Sequence, residues 1–242
     1  MKFYVGLHQP GDARHFERAF ISVNRLRGRK KPLGCGEWIM DSGAFTEIAT
    51  HGRYRDTVDG YAAEILRWQG QGIIAAVAQD YMCEPFITEK TGLSVLGHQQ
   101  LTIARYDELE AAVGGAVPIM PVLQGYAVQD YLDHLAMYGD RLGARAYVGV
   151  GSICKRNTDI TAIEDVLLAI KRRRPDLDLH GFGLKLTALS SHVVQDCLAS
   201  ADSMAWSFAA RKQGRNANDW REAKRFVDNI RLRPTQLRLE LA

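Results

Sequence analysis

The sequence has no CxxC or CxC pair; its four cysteines, Cys35, Cys83, Cys154 and Cys197, lie far apart. That spacing argues against a structural zinc site and for scattered reduced thiols, so no metal is expected. No apolar run approaches the roughly 20 residues of a membrane span. The apolar part of the opening MKFYVGLHQPGD is too short for a secretion signal. A cytosolic protein without membrane contact is the expectation. No GxGxxG follows the first apolar run, which weakens the dinucleotide-binding form of an open α/β sheet. Linkers, low-complexity segments and fine repeats are absent too, so a single domain over residues 1–242 is expected.

What is present alternates. Short apolar, β-branched runs at 3–7, 38–41, 73–80, 119–124, 146–151, 179–184 and 203–207 read as strands. Longer stretches at 13–27, 57–70, 91–112, 127–139, 160–173, 187–199 and 218–230 read as helices. Over 160–173 the apolar Ile163, Val166, Leu167 and Ile170 recur at the helical period, with Asp159 placed to cap and Pro175 to follow. Strand and helix in alternation predict a parallel sheet, and continuous apolar strands predict one buried on both faces. With 242 residues, 46% of them hydrophobic and 24% charged, the fold expected is a compact (β/α) TIM-like barrel of seven to eight strands. An open doubly wound sheet is the competitor.

The formal charge is +3, weak by itself, but its distribution is uneven. NRLRGRKK (24–31) contains Arg25, Arg27, Arg29 and Lys30, and RKQGR (211–215) contains Arg211, Lys212 and Arg215. Such clusters hold phosphate backbones; solvated surface is the other use. KRRR (171–174), just before Pro175, reads as the favourable cationic end of a helix.

In a barrel the site lies at the C-terminal ends of the strands. Here the run WIMD stops in Asp41–Ser42–Gly43–Ala44–Phe45, and a carboxylate at the mouth of a core strand is costly unless bonded or employed. The other strand ends carry His8 and Gln9, Asp80, Gln124 and Gly125, Gly149, Gly151 and Ser152, Gly183 and Lys185, and Asp202. Any one of these residues is common in turns. Together they describe a cup of acids and amides, with glycines that let a flat ligand approach the backbone. Paired carboxylates support glycosidic chemistry, one attacking the anomeric carbon and one shuttling a proton. A further carboxylate with an amide can read the N–H edge of a guanine-like base, and Phe45 or Tyr81 can stack on it. Magnesium is the alternative use of three acids, though no spacing singles it out. His180 reads as a hydrogen-bonded core histidine, whereas His8 lies where a substrate reaches.

These segments have a familiar order. MDSGAF resembles the DSGGF motif of tRNA-guanine transglycosylases, AQDYMCEP their base-reading third-strand segment, and PVLQG their VQG segment. YVGVGS resembles, loosely, their glycine-rich turn; HGFG and ADSMAWSFAAR resemble the archaeal HLFG and FDSASYALYA stretches, the latter carrying the nucleophile. The zinc-binding cysteines and histidine of those enzymes and their appended RNA-binding domain have no counterpart. The opening FYVGLHQPGDARHF and ISVNRLRGRKK resemble instead the DpdA family, compact paralogues that place 7-deazaguanines in DNA, many of them encoded by phages.

The resemblance implies a DNA-guanine transglycosylase that replaces guanine by a 7-deazaguanine such as 7-cyano-7-deazaguanine, without cofactor. Asp202 would be the nucleophile and Asp41 the acid/base. Ser42, Asp80, Gln124, the Gly149–Gly151 turn and Ser152 would bind the base, with Phe45 stacked on it and His8 nearby. Lys185 has two uses, a phosphate contact or a strand cap. The family also implies DNA and free bases as partners, leaves helper proteins and a homo-oligomer open, and sets the work in the cytoplasm, the host's if a phage encodes it. Two alternatives stand: an enzyme of the same chemistry acting on RNA, and a catalytically silent nucleic-acid-binding subunit.

Overall fold

The computed structural model describes residues 1–156 and 159–232; the remaining positions of the expected domain lie outside the described residues. Nine short strands carry the architecture: β1 (Lys2–Gly6), β2 (Arg18–Ser22), β3 (Glu37–Asp41), β4 (Ile73–Val77), β5 (Ile119–Met120), β6 (Val122–Leu123), β7 (Tyr147–Val150), β8 (Asp178–Gly181) and β9 (Leu198–Ser203). All paired neighbours are parallel, in the order β5-β4-β3-β2-β1-β9-β8-β7-β6. The two ends of that order, β5 and β6, are separated in the chain only by Pro121. Before it, the Pro118 and Met120 carbonyls accept from Ala76 and Ala78; after it, the Pro121 and Leu123 carbonyls accept from Gly149 and Gly151. One short segment thus bonds first to one side and then to the other, and the sheet nearly closes into a TIM-like barrel. Proline supplies no N–H to a ladder, which is why this segment counts as two strands and the total exceeds the expected seven to eight.

The helices are α1 (Val23–Leu26), α2 (Ala44–His51), α3 (Val58–Arg67), α4 (Pro85–Thr91), α5 (Val95–Val113), α6 (Val128–Tyr138), α7 (Ile160–Arg173), α8 (Leu186–Leu189), α9 (His192–Cys197), α10 (Ala205–Lys212) and α11 (Trp220–Leu232). Helix α7 matches its reading: Asp159 accepts from the Ala162 N–H at 3.0 Å, and Ile163, Val166, Leu167 and Ile170 are buried. At its C-terminus Lys171 donates to the Pro175 and Leu177 carbonyls, so KRRR is occupied at a helix end.

Three expected elements differ. The stretch 13–27 is not one helix: a 3₁₀ turn over Pro10–His15 leads into β2 and the single turn α1. Of the expected strand at 203–207 only Ser203 is strand; α10 starts at Ala205, and β9 lies upstream, its first two residues in the stretch expected to be helical. The stretch 187–199 is not one helix but two short ones, α8 and α9, followed by the first residues of β9.

Within each strand alternate residues face opposite ways. Val5, Ala19, Ile21, Trp38, Met40, Ala76, Val148, Val150 and Leu179 join the large core between strands and helices. Tyr4, Phe20, Ile39, Val77, Met120 and Val122 form a second cluster inside the barrel, with Tyr147 and Phe182 packed against it. Each fully buried aliphatic or aromatic side chain contributes roughly 1.5–3 kcal/mol. Continuing the inward set by two residues reaches Ser22 from Phe20, Asp41 from Ile39 and Gln124 from Val122. The same alternation carries His180 and Asp202 inward, on either side of the outward Leu179 and Ala201.

Gly43 turns the chain from β3 into α2 with φ +76°, and a Cβ there would lie 2.5 Å from Asn24 Nδ2. A left-handed non-glycine residue costs about 1–2 kcal/mol before any clash. Gly43→Ala is expected to lower stability by about 1–3 kcal/mol, read as a fall in melting temperature. An unchanged melting temperature would contradict this turn.

Candidate functional site

At the C-terminal ends of the strands the barrel opens into a cavity of about 1020 Å³. That is the upper end of the range for a single small ligand and leaves room for a base with its sugar and phosphate. Its wall includes His8, Ser22, Asn24, Asp41, Asp80, Glu84, Gln124, Gly151, Ser152, Lys185 and Asp202; Phe20, Val77 and Phe182 supply apolar surface. Arg25, Arg27, Arg55, Phe45 and Phe208 also line it, and the last two are about half exposed (49% and 52%). Carboxylates gather in the depth, and arginines and exposed aromatics reach outward.

Asp41 ends β3 directly beside Ser22 in the register with β2. It accepts hydrogen bonds from the Ser22 side chain and the Gly43 backbone. Burial, reinforced by the charge of Asp202, nevertheless pushes its carboxyl up to about 6. Asp202, 5% exposed, lies on β9, paired with Tyr4 of β1. Its Oδ1 accepts from the Gly183 N–H at 2.9 Å and faces His180 Nε2 at 3.4 Å. The two carboxylates therefore share one cavity, and the charge of Asp202 reaches Asp41.

Asp80 has a different setting. Its Oδ2 accepts from Gln124 Nε2, Ser42 Oγ donates to its Oδ1 at 3.5 Å, and the Tyr54 hydroxyl donates to its carbonyl at 2.9 Å. Gln124 Oε1 accepts in turn from Ser152 Oγ at 2.7 Å, with Glu84 Oε2 a second acceptor at 3.0 Å. Ser152 is held at φ +55°, uncommon for a side-chain-bearing residue, and its Oγ accepts from the Cys83 N–H at 3.0 Å. Gly151 makes room for this chain of bonds, since a Cβ there would strike the Gln124 amide at 2.2 Å. Burial drives the Asp80 carboxyl up to about 7, against the pull of the Gln124 bond and with a further push from Asp41.

A carboxyl raised above its unfolded value favours the folded state most at low pH, and the benefit is lost as pH rises through the folded value. For Asp41 and Asp80 the window runs from about 4, the ordinary carboxyl range, to the folded values near 6 and 7. Asp80→Asn is therefore expected to gain stability relative to the parent as pH rises from 5 to 8, on the order of a few kcal/mol. Melting temperatures of both proteins across that range check it; parallel curves would contradict it.

The remaining expected residues divide. His8 lines the cavity and bonds Ser207 Oγ at 2.7 Å; burial, then Arg25 and Arg211, hold its imidazole below the ordinary value. Members of both basic clusters thus converge on His8. Ser42 is buried behind Asp80 instead of lining the wall, and Gly149 sits beneath the Phe182 ring, where a Cβ would lie 2.4 Å from ring carbons. Arg29 and Lys30 do not line the cavity, and Arg215 is ion-paired to the buried Glu222 at 2.9 Å. Tyr81 packs edge-on against Tyr54 away from the wall, so of the two expected stacking rings Phe45 is the exposed one. Among the described residues no group of three or more His, Cys, Asp or Glu is arranged to hold a metal ion. No described helix is long and apolar enough to cross a membrane.

Sequence reasoning missed Ser22, Asn24, Phe20, Glu84 and Arg55. The first three lie on or just after the strand read as helix. Glu84, 2% exposed, precedes Pro85 at the start of α4 and had no signal beyond that. Asn24 Nδ2 is buried without a hydrogen-bond partner among the described residues.

A parallel barrel with an acidic cup and arginines about it suits several chemistries, since fold alone assigns none. Comparison decides the family. The model of the DpdA family, described as DeoxyPurine in DNA protein A, matches residues 1–219. The chain belongs to the DpdA family. The match spans every strand of the barrel and every acid of the cup, and DpdA membership implies a role in deoxypurine modification of DNA. Comparison with curated proteins finds no match.

Proposed function

We propose that this DpdA-family chain is a DNA-guanine transglycosylase that exchanges guanine for a 7-deazaguanine such as 7-cyano-7-deazaguanine. The observation that supports it best is the sharing of one cavity by Asp41 and Asp202, close enough that the charge of one raises the carboxyl of the other. In the first step an Asp202 oxygen attacks C1′ of the deoxyribose, and the C1′–N9 bond breaks with its electrons passing to the base. Asp41, protonated at and below its raised value, hands its proton to the departing guanine. In the second step Asp41 takes the N9 proton of the incoming base, N9 attacks C1′, and Asp202 leaves. No net charge or atom is left over.

Asp80, fixed by Gln124, Ser42 and Tyr54, is the acceptor for the N–H groups of a guanine edge, with Gln124, Gly151 and Ser152 beside it. Phe45 stacks on the base from the mouth. Arg25, Arg27, Arg211, Lys212 and Lys185 serve the phosphates. A base inside the stack cannot present its glycosidic bond to both aspartates, so the target guanine is flipped out, at a cost of a few kcal/mol that backbone contacts offset. Neutralising Arg25, Arg211 and Lys212 together is expected to weaken duplex binding and flatten its log–log salt dependence by about 3 units. Titrations at several salt concentrations check this; an unchanged slope would place the strand elsewhere.

The test of the reaction is transfer of labelled guanine into duplex DNA by the purified chain, with tRNA in competition. Label in DNA supports the proposal. Label in tRNA alone would make this an RNA enzyme, and binding of DNA without exchange would make it a silent subunit.

A further inference from the structure

The inward face of β8 and β9 holds a set of polar groups beyond the two aspartates. His180 is fully buried, yet Nε2 points at Asp202 Oδ1. Its Nδ1 lies 2.8 Å from Ser200 Oγ and 3.2 Å from the Tyr147 hydroxyl, which also contacts Ser200 Oγ. Phe20 stacks on the imidazole at 5.5 Å and 13°, and Phe182 meets it edge-on at 4.9 Å, so the ring is fixed. A carboxylate only accepts, so a bare Nε2 facing it would be repelled; Nε2 must carry a proton. One direction of donation then satisfies each group: Tyr147 O–H to Ser200, Ser200 O–H to His180 Nδ1, and His180 Nε2–H to Asp202. Burial raises the Tyr147 hydroxyl to about 12, which keeps the first proton in place.

We propose that His180 is a positioning residue that fixes which oxygen of Asp202 reacts and eases its departure. This rests on the role of Asp202 proposed above. Oδ1 receives both the Gly183 N–H and His180, while Oδ2 has no hydrogen-bond partner among the described residues. Oδ2 therefore forms the bond to C1′ as the C1′–N9 pair leaves with guanine. When the incoming N9 attacks, the Oδ2–C1′ pair returns to the carboxylate, and the charge spreading onto Oδ1 meets two donors already in place. The 3.4 Å separation is at the long end for such a bond.

Two variants and one spectrum test it. His180→Gln keeps an N–H donor near the Nε2 position; His180→Leu keeps bulk and loses the donor. With melting temperatures matched, His180→Leu is expected to slow exchange by roughly 10–100-fold and to raise the steady-state fraction of covalent enzyme–DNA adduct, because breakdown loses its donor. His180→Gln is expected to recover most of the rate. A purely structural role would lower the rate without adduct accumulation and without rescue, and that result, or wild-type exchange by His180→Leu, would overturn the proposal. Long-range ¹⁵N NMR of histidine-labelled protein is read without turnover: His180 should carry a proton on Nε2, shifted by Asp202→Asn. A bare Nε2, or no response to Asp202→Asn, overturns the proposal by itself. Loss of exchange in the parent enzyme on every nucleic acid, with the spectrum as expected, would instead refute the transglycosylase reading.

Discussion

Asp202→Asn is expected to reduce base exchange by on the order of 10⁴-fold or more while duplex binding persists. The amide keeps the shape of the side chain and can still accept from Gly183 and His180, but it lacks the anion that attack on C1′ requires. The backbone around it is unaffected, because the β9 strand bonds to β1 and β8 through main-chain groups. The loss should therefore appear in the single-turnover step and in the disappearance of a trapped covalent adduct, with unchanged affinity for DNA. Near-parental exchange by this variant would end the assignment, and an adduct trapped on another acid would redirect it.

Asp41→Asn is expected to lower the rate of base loss by about 10²–10⁴-fold, the usual contribution of a positioned acid or base. The raised carboxyl, near 6, adds a shape to this expectation. Donation to the departing guanine needs the protonated form, so the first step should slow as pH rises above about 6. Removal of a proton from the incoming base needs the anion, so the second step should slow below it. The parent enzyme is thus expected to show two opposed limbs, and Asp41→Asn to flatten both. Single-turnover rates from pH 5 to 8 separate these. A variant that changes only affinity for the base would make Asp41 a binder.

Much of this site was legible because strand alternation is strict. Ile39 faces inward, so Asp41 does, and the glycine that follows is the residue a left-handed turn with no room for a Cβ demands. What was hidden was hidden for identifiable reasons. In β2 the apolar residues Ala19, Phe20 and Ile21 run straight into Val23 and Leu26 without a glycine or proline between, so a five-residue strand and one helical turn imitate a single helix. That concealed Phe20, Ser22 and Asn24, and it hid that Arg25 and Arg27 sit on and just after a single helical turn at the cavity.

β9 is LASADS, poor in β-branched residues, and its small side chains are what the barrel interior beside His180 accommodates. Trp206 made the next segment look more strand-like, but it is buried on α10, where its indole N–H donates to the Gly6 carbonyl at 2.8 Å. His180 was read as a satisfied core histidine, and it is buried and bonded. Its partner was the part that one-dimensional spacing could not supply, because His180 and Asp202 meet across two strands.

The most direct measurement is mass spectrometry of nucleosides from duplex DNA incubated with the purified chain and 7-cyano-7-deazaguanine. The expected result is the deoxyribonucleoside of that base in the DNA, with an equal quantity of guanine released. Guanine retained and no new deoxyribonucleoside, while tRNA in the same tube acquires the base, would contradict the assignment of this cavity to DNA.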